Sequence, residues 1–78
     1  MIYLITGSNG LLGQKILKKL IDDNSHVIAT SKGSNRNKKN VFYSYESLDI
    51  TDENEVVRVL NYYKPNVVFN TAAMTNVD

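Results

Sequence analysis

The chain has no cysteine, a single proline, no apolar run long enough to span a membrane and no large excess of either charge. Without cysteine there are no disulfides, no thiolate metal sites and no cysteine nucleophile, and a reducing, cytoplasmic compartment is expected. A membrane helix needs about 18 consecutive apolar residues, and a secretory leader needs a basic segment ahead of an apolar one. Neither pattern occurs, so no membrane association is expected. Nine basic residues against eight acidic ones leave a net charge of +1, too balanced for the electrostatic footprint of a nucleic-acid or membrane-surface binder. A charged ligand must therefore be met by local features. With 78 residues the chain has room for one core at most, and it is expected to form only part of a domain.

Met1 to Thr6 is a continuous apolar run of strand formers, as suits a strand buried on both faces of a parallel sheet. From Leu11 to Asp22, Leu12, Ile16, Leu17, Leu20 and Ile21 recur at helical spacing, with Lys15, Lys18 and Lys19 on the opposite side. Asn24, in the turn that follows, suits the left-handed conformation that closes a helix. Val27 to Thr30, led in by His26, predicts a second strand. His26 has no cysteine or second histidine as a metal co-ligand and is structural. Residues 32–40 contain no apolar side chain and read as an exposed, solvated loop rather than a nucleic-acid contact.

A third strand is expected within Phe42 to Asp49, in its later half, Tyr45 to Asp49. Tyr43 and Tyr45 share a strand face and are assigned to packing, not base stacking. Asp52 can cap a second helix, with Glu55 completing a capping box and Val56, Val59, Leu60 and Tyr63 forming one buried stripe. Lys64-Pro65-Asn66 ends that helix, because proline cannot continue it. Val67 to Asn70 is a fourth strand. The alternation of strands and helices predicts an α/β domain, a Rossmann-type doubly wound parallel sheet of strand order 3-2-1-4, left incomplete by the length of the chain. The connection between strands two and three is at the short limit for a parallel crossover and is expected to lack a helix.

The chain has four glycines, and three of them, Gly7, Gly10 and Gly13, stand three apart between the first strand and the first helix. First-turn N–H groups of a helix have no intrahelical partner, and the dipole reinforces their attraction for an anion. Gly7 permits the tight turn, Gly10 lets backbone approach a pyrophosphate, and Gly13 lets the helix lie close. Strand, glycine turn and helix in a unit of about thirty residues point to a dinucleotide. No Gly-Lys-Ser/Thr follows, which excludes the phosphate loop of nucleotide triphosphatases. The end of the second strand reads Thr30-Ser31-Lys32, with Arg36 in the following loop and no carboxylate. An acidic residue there would bind ribose hydroxyls and a basic one a 2′-phosphate. NADP(H) is therefore the expected cofactor, contacted by Ser31, Lys32 and Arg36, with NAD(H) the alternative.

The pattern Thr6-Gly7-x-x-Gly10-x-x-Gly13 resembles the cofactor loop of extended short-chain dehydrogenases/reductases. Leu48-Asp49-Ile50-Thr51-Asp52 and the stretch Val67-Val68-Phe69-Asn70-Thr71-Ala72-Ala73-Met74-Thr75-Asn76-Val77-Asp78 agree, and the latter looks most like dTDP-4-dehydrorhamnose reductases and their relatives. The resemblance covers the whole chain but only the N-terminal quarter or so of such a protein. It implies that the loop Gly7, Ser8, Asn9, Gly10, Leu11, Leu12 and Gly13 binds the dinucleotide. By the same resemblance Asp49 accepts from the adenine amino group beside the Ile50 backbone, and Ala72 and Ala73 pass the nicotinamide-side ribose. From its own setting Asp49 reads equally as a turn residue ahead of a helix. Thr75 and Asp78 read equally as cofactor or substrate contacts and as loop caps.

The resemblance also implies a cytoplasmic parent, a homodimer, that reduces a nucleotide-linked keto-sugar with a Tyr-x-x-x-Lys pair. Nothing here matches that pair: Tyr62 and Tyr63 lie in a predicted helix and Lys64 is adjacent to them. The stretch alone is expected to be inactive, with no catalytic residue, no metal ligand and no sugar substrate of its own. Two alternatives share the nucleotide site. One is a non-catalytic, NADP(H)-binding regulatory subunit resembling that of methionine adenosyltransferase, and the other a nucleotide-sugar epimerase or dehydratase.

Overall fold

The computed structural model describes residues 1–37 and 42–71. Six elements follow in order: β1 (Ile2–Thr6), α1 (Leu11–Asp22), β2 (His26–Ser31), β3 (Tyr43–Ser47), α2 (Glu53–Tyr63) and β4 (Val67–Asn70). The strands form one parallel sheet of order β3-β2-β1-β4. Leu4, Ile5 and Thr6 of β1 and Val27 to Thr30 of β2 are all buried. This explains why both run apolar or nearly so without alternation. The described part of the β2–β3 connection, residues 32–37, contains no helix.

Side chains alternate across the sheet and divide the core into two layers. Ile5, Val27 and Ala29 face α1 and pack with its Leu17 and Leu20, with Tyr3, Tyr43, Tyr45 and Phe69 at the margin. Leu4 and Ile28 face the other way and pack with Leu48 and with Val59 of α2. The β1-to-β2 and β3-to-β4 crossovers run in opposite directions along the sheet. Crossovers of one hand must then lie on opposite faces, as α1 and α2 do.

Both helices end as their sequences predict. Asn24 stands at φ 60° after α1, with its N–H donating to the Ile21 carbonyl at 3.0 Å, and Lys64 stands at φ 48° after α2, ahead of Pro65. Four expectations need correction. The third strand lies two residues earlier, at Tyr43–Ser47, because Leu48 turns into the core beneath α2 and Asp49 folds into a turn. The capping box is only half made: Asp52 Oδ1 accepts from the Glu55 N–H at 3.2 Å, but the Glu55 carboxylate goes to Arg58, and the Asp52 N–H donates to the Asp49 carbonyl. Leu60 is 38% exposed, so the α2 stripe is covered at Val59 and only partly elsewhere. Leu12 likewise leaves the buried stripe of α1 and is exposed at the helix start.

Candidate functional site

All four strands are parallel, so their carboxyl ends share one edge, where Thr6 aligns with Thr30 and Asn70, and Ser31 with Ser47. Open sheets of this kind bind ligands outside that edge. The glycine turn leaves β1 there. Gly7 has φ +74°, a conformation that a β-carbon disfavours, and the Gly10 N–H closes the turn on the Gly7 carbonyl at 3.0 Å. A β-carbon at Gly13 would stand 2.3 Å from Gly7 O and 2.8 Å from Ser8 Cα, so the first turn of α1 rests directly on the loop backbone.

The two helix N-termini differ in a way that matters for an anion. Asp52 caps α2, and Glu53 and Glu55 lie in its first turn, so the protein's own carboxylates meet its positive end. In α1 the N-cap is Gly10, with no side-chain cap and no acidic residue in the first turn. The N–H groups of Leu11, Leu12 and Gly13 precede the first intrahelical hydrogen bond, Gln14 N–H to Gly10 carbonyl at 2.9 Å, and so have no partner inside the helix. Ser8 is fully buried beneath the turn. Its N–H donates to the Thr30 carbonyl, its carbonyl accepts from Asn37 Nδ2 at 2.8 Å, and its hydroxyl has no partner among the described residues. An uncapped helix start, held so close to a turn with Gly7 at positive φ that Gly13 admits no β-carbon, fits a pyrophosphate.

The loop after β2 is exposed at Lys32, Gly33, Ser34 and Arg36, as the sequence predicts, and is in addition hydrogen-bonded to the glycine turn and to β3. Asn9 Nδ2 donates to the Ser34 carbonyl at 2.8 Å, and Asn9 Oδ1 accepts from the Arg36 N–H at 2.7 Å. The Tyr45 hydroxyl donates to the Gly33 carbonyl at 2.7 Å, and Asn35 Nδ2 donates to the Tyr43 hydroxyl. Arg36 is thereby brought against the glycine turn. Ser31 lies at the end of β2 with its carbonyl accepting from the Leu48 N–H. Its neighbour Lys32 reaches Asp49, with Nζ 3.8 Å from Oδ2, at side-chain exposures of 82% and 39%. So exposed a pair contributes little to stability and leaves both groups free for a ligand. A carboxylate does stand at the end of β2 after all, supplied by the fold from the β3–α2 turn.

Asp49 Oδ1 accepts from the Thr51 hydroxyl at 2.7 Å and from its N–H at 3.0 Å. These bonds, and then Lys32, hold the carboxyl below its ordinary range. The turn role of Asp49 is thus present, and Oδ2 remains available as an ionised acceptor beside exposed Ile50. Ala72, Ala73, Thr75 and Asp78 lie outside the described residues. Thr71, which the sequence did not single out, is buried and fastens the end of β4 to the turn: its hydroxyl donates to the Thr6 carbonyl at 2.5 Å, with the Gly7 carbonyl at 3.2 Å. Only its place at a strand end could have suggested this. Among the described residues no cluster of His, Cys, Asp or Glu could hold a metal, and no helix is long and apolar enough to cross a membrane.

Comparison with known proteins agrees with this geometry. The chain is 33% identical over 75 residues to a dTDP-4-dehydrorhamnose reductase of Aggregatibacter actinomycetemcomitans, covering 96% of this chain and 21% of that protein. It is 31% identical over 75 residues to methionine adenosyltransferase 2 subunit beta of Xenopus laevis, again covering 96% of this chain and 21% of that one. The crystal structure of a UDP-glucose 4-epimerase from Thermotoga maritima superposes with a TM-score of 0.75 at 27% identity, over 90% of this chain and 23% of that one. The chain thus spans about a fifth of the length of these relatives. The family model described as "RmlD substrate binding domain" matches residues 1–78, and the chain belongs to that family, on a Rossmann-type parallel α/β sheet.

Proposed function

We propose that residues 1–78 are the N-terminal part of a dinucleotide-binding domain and that they bind NADP(H) in a protein that reduces a nucleotide-linked keto-sugar of the dTDP-4-dehydrorhamnose class. The observation that carries this is the uncapped start of α1 resting on a turn where Gly7 has positive φ and Gly13 admits no β-carbon. The N–H groups of Leu11, Leu12 and Gly13 would hold the pyrophosphate, and Ser31, Lys32 and Arg36 the 2′-phosphate. Asp49 would accept from the adenine amino group, with the Ile50 backbone alongside, and Ala72, Ala73 and Thr75 would follow β4 toward the nicotinamide. When bound, the cofactor supplies a hydride to a substrate carbonyl. These residues do the binding and orienting; the groups that hold the sugar and donate the proton belong to the rest of the full chain. In the full chain the protein is cytoplasmic and dimeric.

A charge-assisted hydrogen bond contributes about 1.5–3 kcal/mol, so one good contact to the 2′-phosphate favours NADPH by roughly ten- to a hundredfold. Titration of the full chain with NADPH and NADH, followed by nicotinamide fluorescence, is expected to show this ratio and its reduction in Lys32→Ala. Equal affinities would sink the NADP(H) assignment, and a ratio indifferent to Lys32 would remove Lys32 from the 2′-phosphate contacts. The match to a methionine adenosyltransferase subunit favours a second reading, a subunit that binds the cofactor without turnover. Oxidation of NADPH by the full chain with dTDP-4-dehydrorhamnose supports the reductase. Tight NADPH binding with no oxidation in the presence of any dTDP-keto-sugar supports the subunit.

A further inference from the structure

Asn9 lies inside the glycine turn, yet both polar atoms of its side chain are spent on another segment. Nδ2 donates to the Ser34 carbonyl and Oδ1 accepts from the Arg36 N–H. This is how one strand edge grips another, made by a single side chain on residues two apart. Asn37 adds a second latch, with Nδ2 donating to the Ser8 carbonyl. Residues 32–37 offer no apolar side chain to pack, so hydrogen bonds alone fix their course. Lys32 leans away toward Asp49. Arg36 is exposed, and among the described residues its guanidinium has no ion-pair partner. A cation is thus held by its backbone beside the turn that accepts the pyrophosphate, with its side chain free.

We propose that Asn9 is a positioning residue for phosphate selectivity: by clasping the backbone at Ser34 and Arg36 it presents the Arg36 guanidinium to the 2′-phosphate of the cofactor. This rests on the NADP(H) assignment above. Pre-fixing the loop removes an ordering cost that binding would otherwise carry, and that cost falls only on the ligand that uses Arg36. NADH, which lacks the 2′-phosphate, gains little from the clasp.

The test is a double-mutant cycle on the full chain, with NADPH and NADH as probes. Asn9→Ala is expected to lower the NADPH-over-NADH ratio by roughly tenfold, mostly through weaker NADPH binding, and to speed hydrogen exchange at the Arg36 amide. In an Arg36→Ala background the same substitution should leave the ratio nearly unchanged, because the two residues act as one unit. A wild-type protein without preference for NADPH overturns the cofactor assignment. A preference that survives Asn9→Ala, or an Asn9 effect equally large without Arg36, overturns the positioning role alone. Should Asn9→Ala not fold, Asn9→Ser keeps a polar residue in the turn but is too short to bridge Ser34 and Arg36: a lowered ratio supports the clasp and an unchanged one overturns it.

Discussion

At Gly13 two general expectations conflict. Replacing a helical glycine with alanine normally favours the helix by about 1 kcal/mol. Here the new β-carbon would stand 2.3 Å from a backbone carbonyl oxygen and 2.9 Å from its carbon, and backbone, unlike a flexible side chain, cannot swing aside. Overpacking of this kind costs about 1–3 kcal/mol, so the clash wins. Gly13→Ala is expected to lower the free energy of unfolding in urea and to weaken NADPH binding, because relief of the clash must lift α1 off the turn. A variant as stable as the parent, or more so, would show that the helix does not rest where the structure places it. Gly33 offers a control, with φ +87° and open space around it. Substitution there strains the backbone without any clash.

At the scale of elements, β3 and α2 are joined by a polar clamp. Arg58 donates from Nη2 to Glu46 Oε2 and from Nε to Glu55 Oε2, the latter at 3.0 Å, while the Tyr63 hydroxyl donates to Glu46 Oε1 at 2.7 Å. The bond from Tyr63, and then Arg58, holds the Glu46 carboxyl below its ordinary range. The bond to Glu46, and then burial, pushes the Tyr63 phenol up to about 12. The two groups affect stability at opposite ends of the pH scale. A depressed carboxyl contributes stability that is present above the unfolded value and is lost as pH falls through the folded one. A raised phenol contributes stability that is present below its unfolded value, about 10, and is lost as pH rises toward 12. Urea unfolding is therefore expected to weaken both below the usual glutamate range and above pH ~10. Tyr63→Phe should reduce the alkaline loss, leaving the part due to the Tyr45 phenol, which burial also raises, and should soften the acid one. An alkaline limb unchanged in Tyr63→Phe would assign it wholly to other groups.

Most elements were legible because their signals are local: apolar runs, helical spacing, Asn24, Pro65 and the Asp52 cap each act within a few residues. The strand order followed from handedness and connection length. What sequence could not show is long-range and polar. Asn9 to Ser34 and Arg36, Asn37 to Ser8, and Lys32 to Asp49 join residues that only the fold brings together, and neither asparagine advertises a partner by spacing. The third strand was misplaced for a related reason. Leu48 looks like strand, but α2 buries it past the strand's end.

For the whole molecule, the decisive feature is an apolar cleft of about 260 Å³ on the α2 face, lined by Leu4, Leu48, Val56, Val59, Leu60 and Val68. Among the described residues β4 pairs only with β1, and its burial alternates, Val67 and Phe69 half-covered, Val68 46% exposed. An unpaired, apolar strand edge beside an open apolar cleft is a template for pairing with a second chain. A polypeptide of 78 residues also buries a modest fraction of its surface and has little stability in reserve. Expressed as residues 1–78 alone, it is expected to sediment faster as its concentration rises from micromolar to millimolar and to unfold over a broad range. Val68→Lys places a charge at the mouth of the cleft on a residue 46% exposed, where little packing is lost, and should abolish the concentration dependence with only a small change in the unfolding midpoint of the dilute protein. A chain that remains monomeric throughout and melts sharply at high temperature would mean that α2 and the β1–β2 core suffice, and that the cleft carries no penalty.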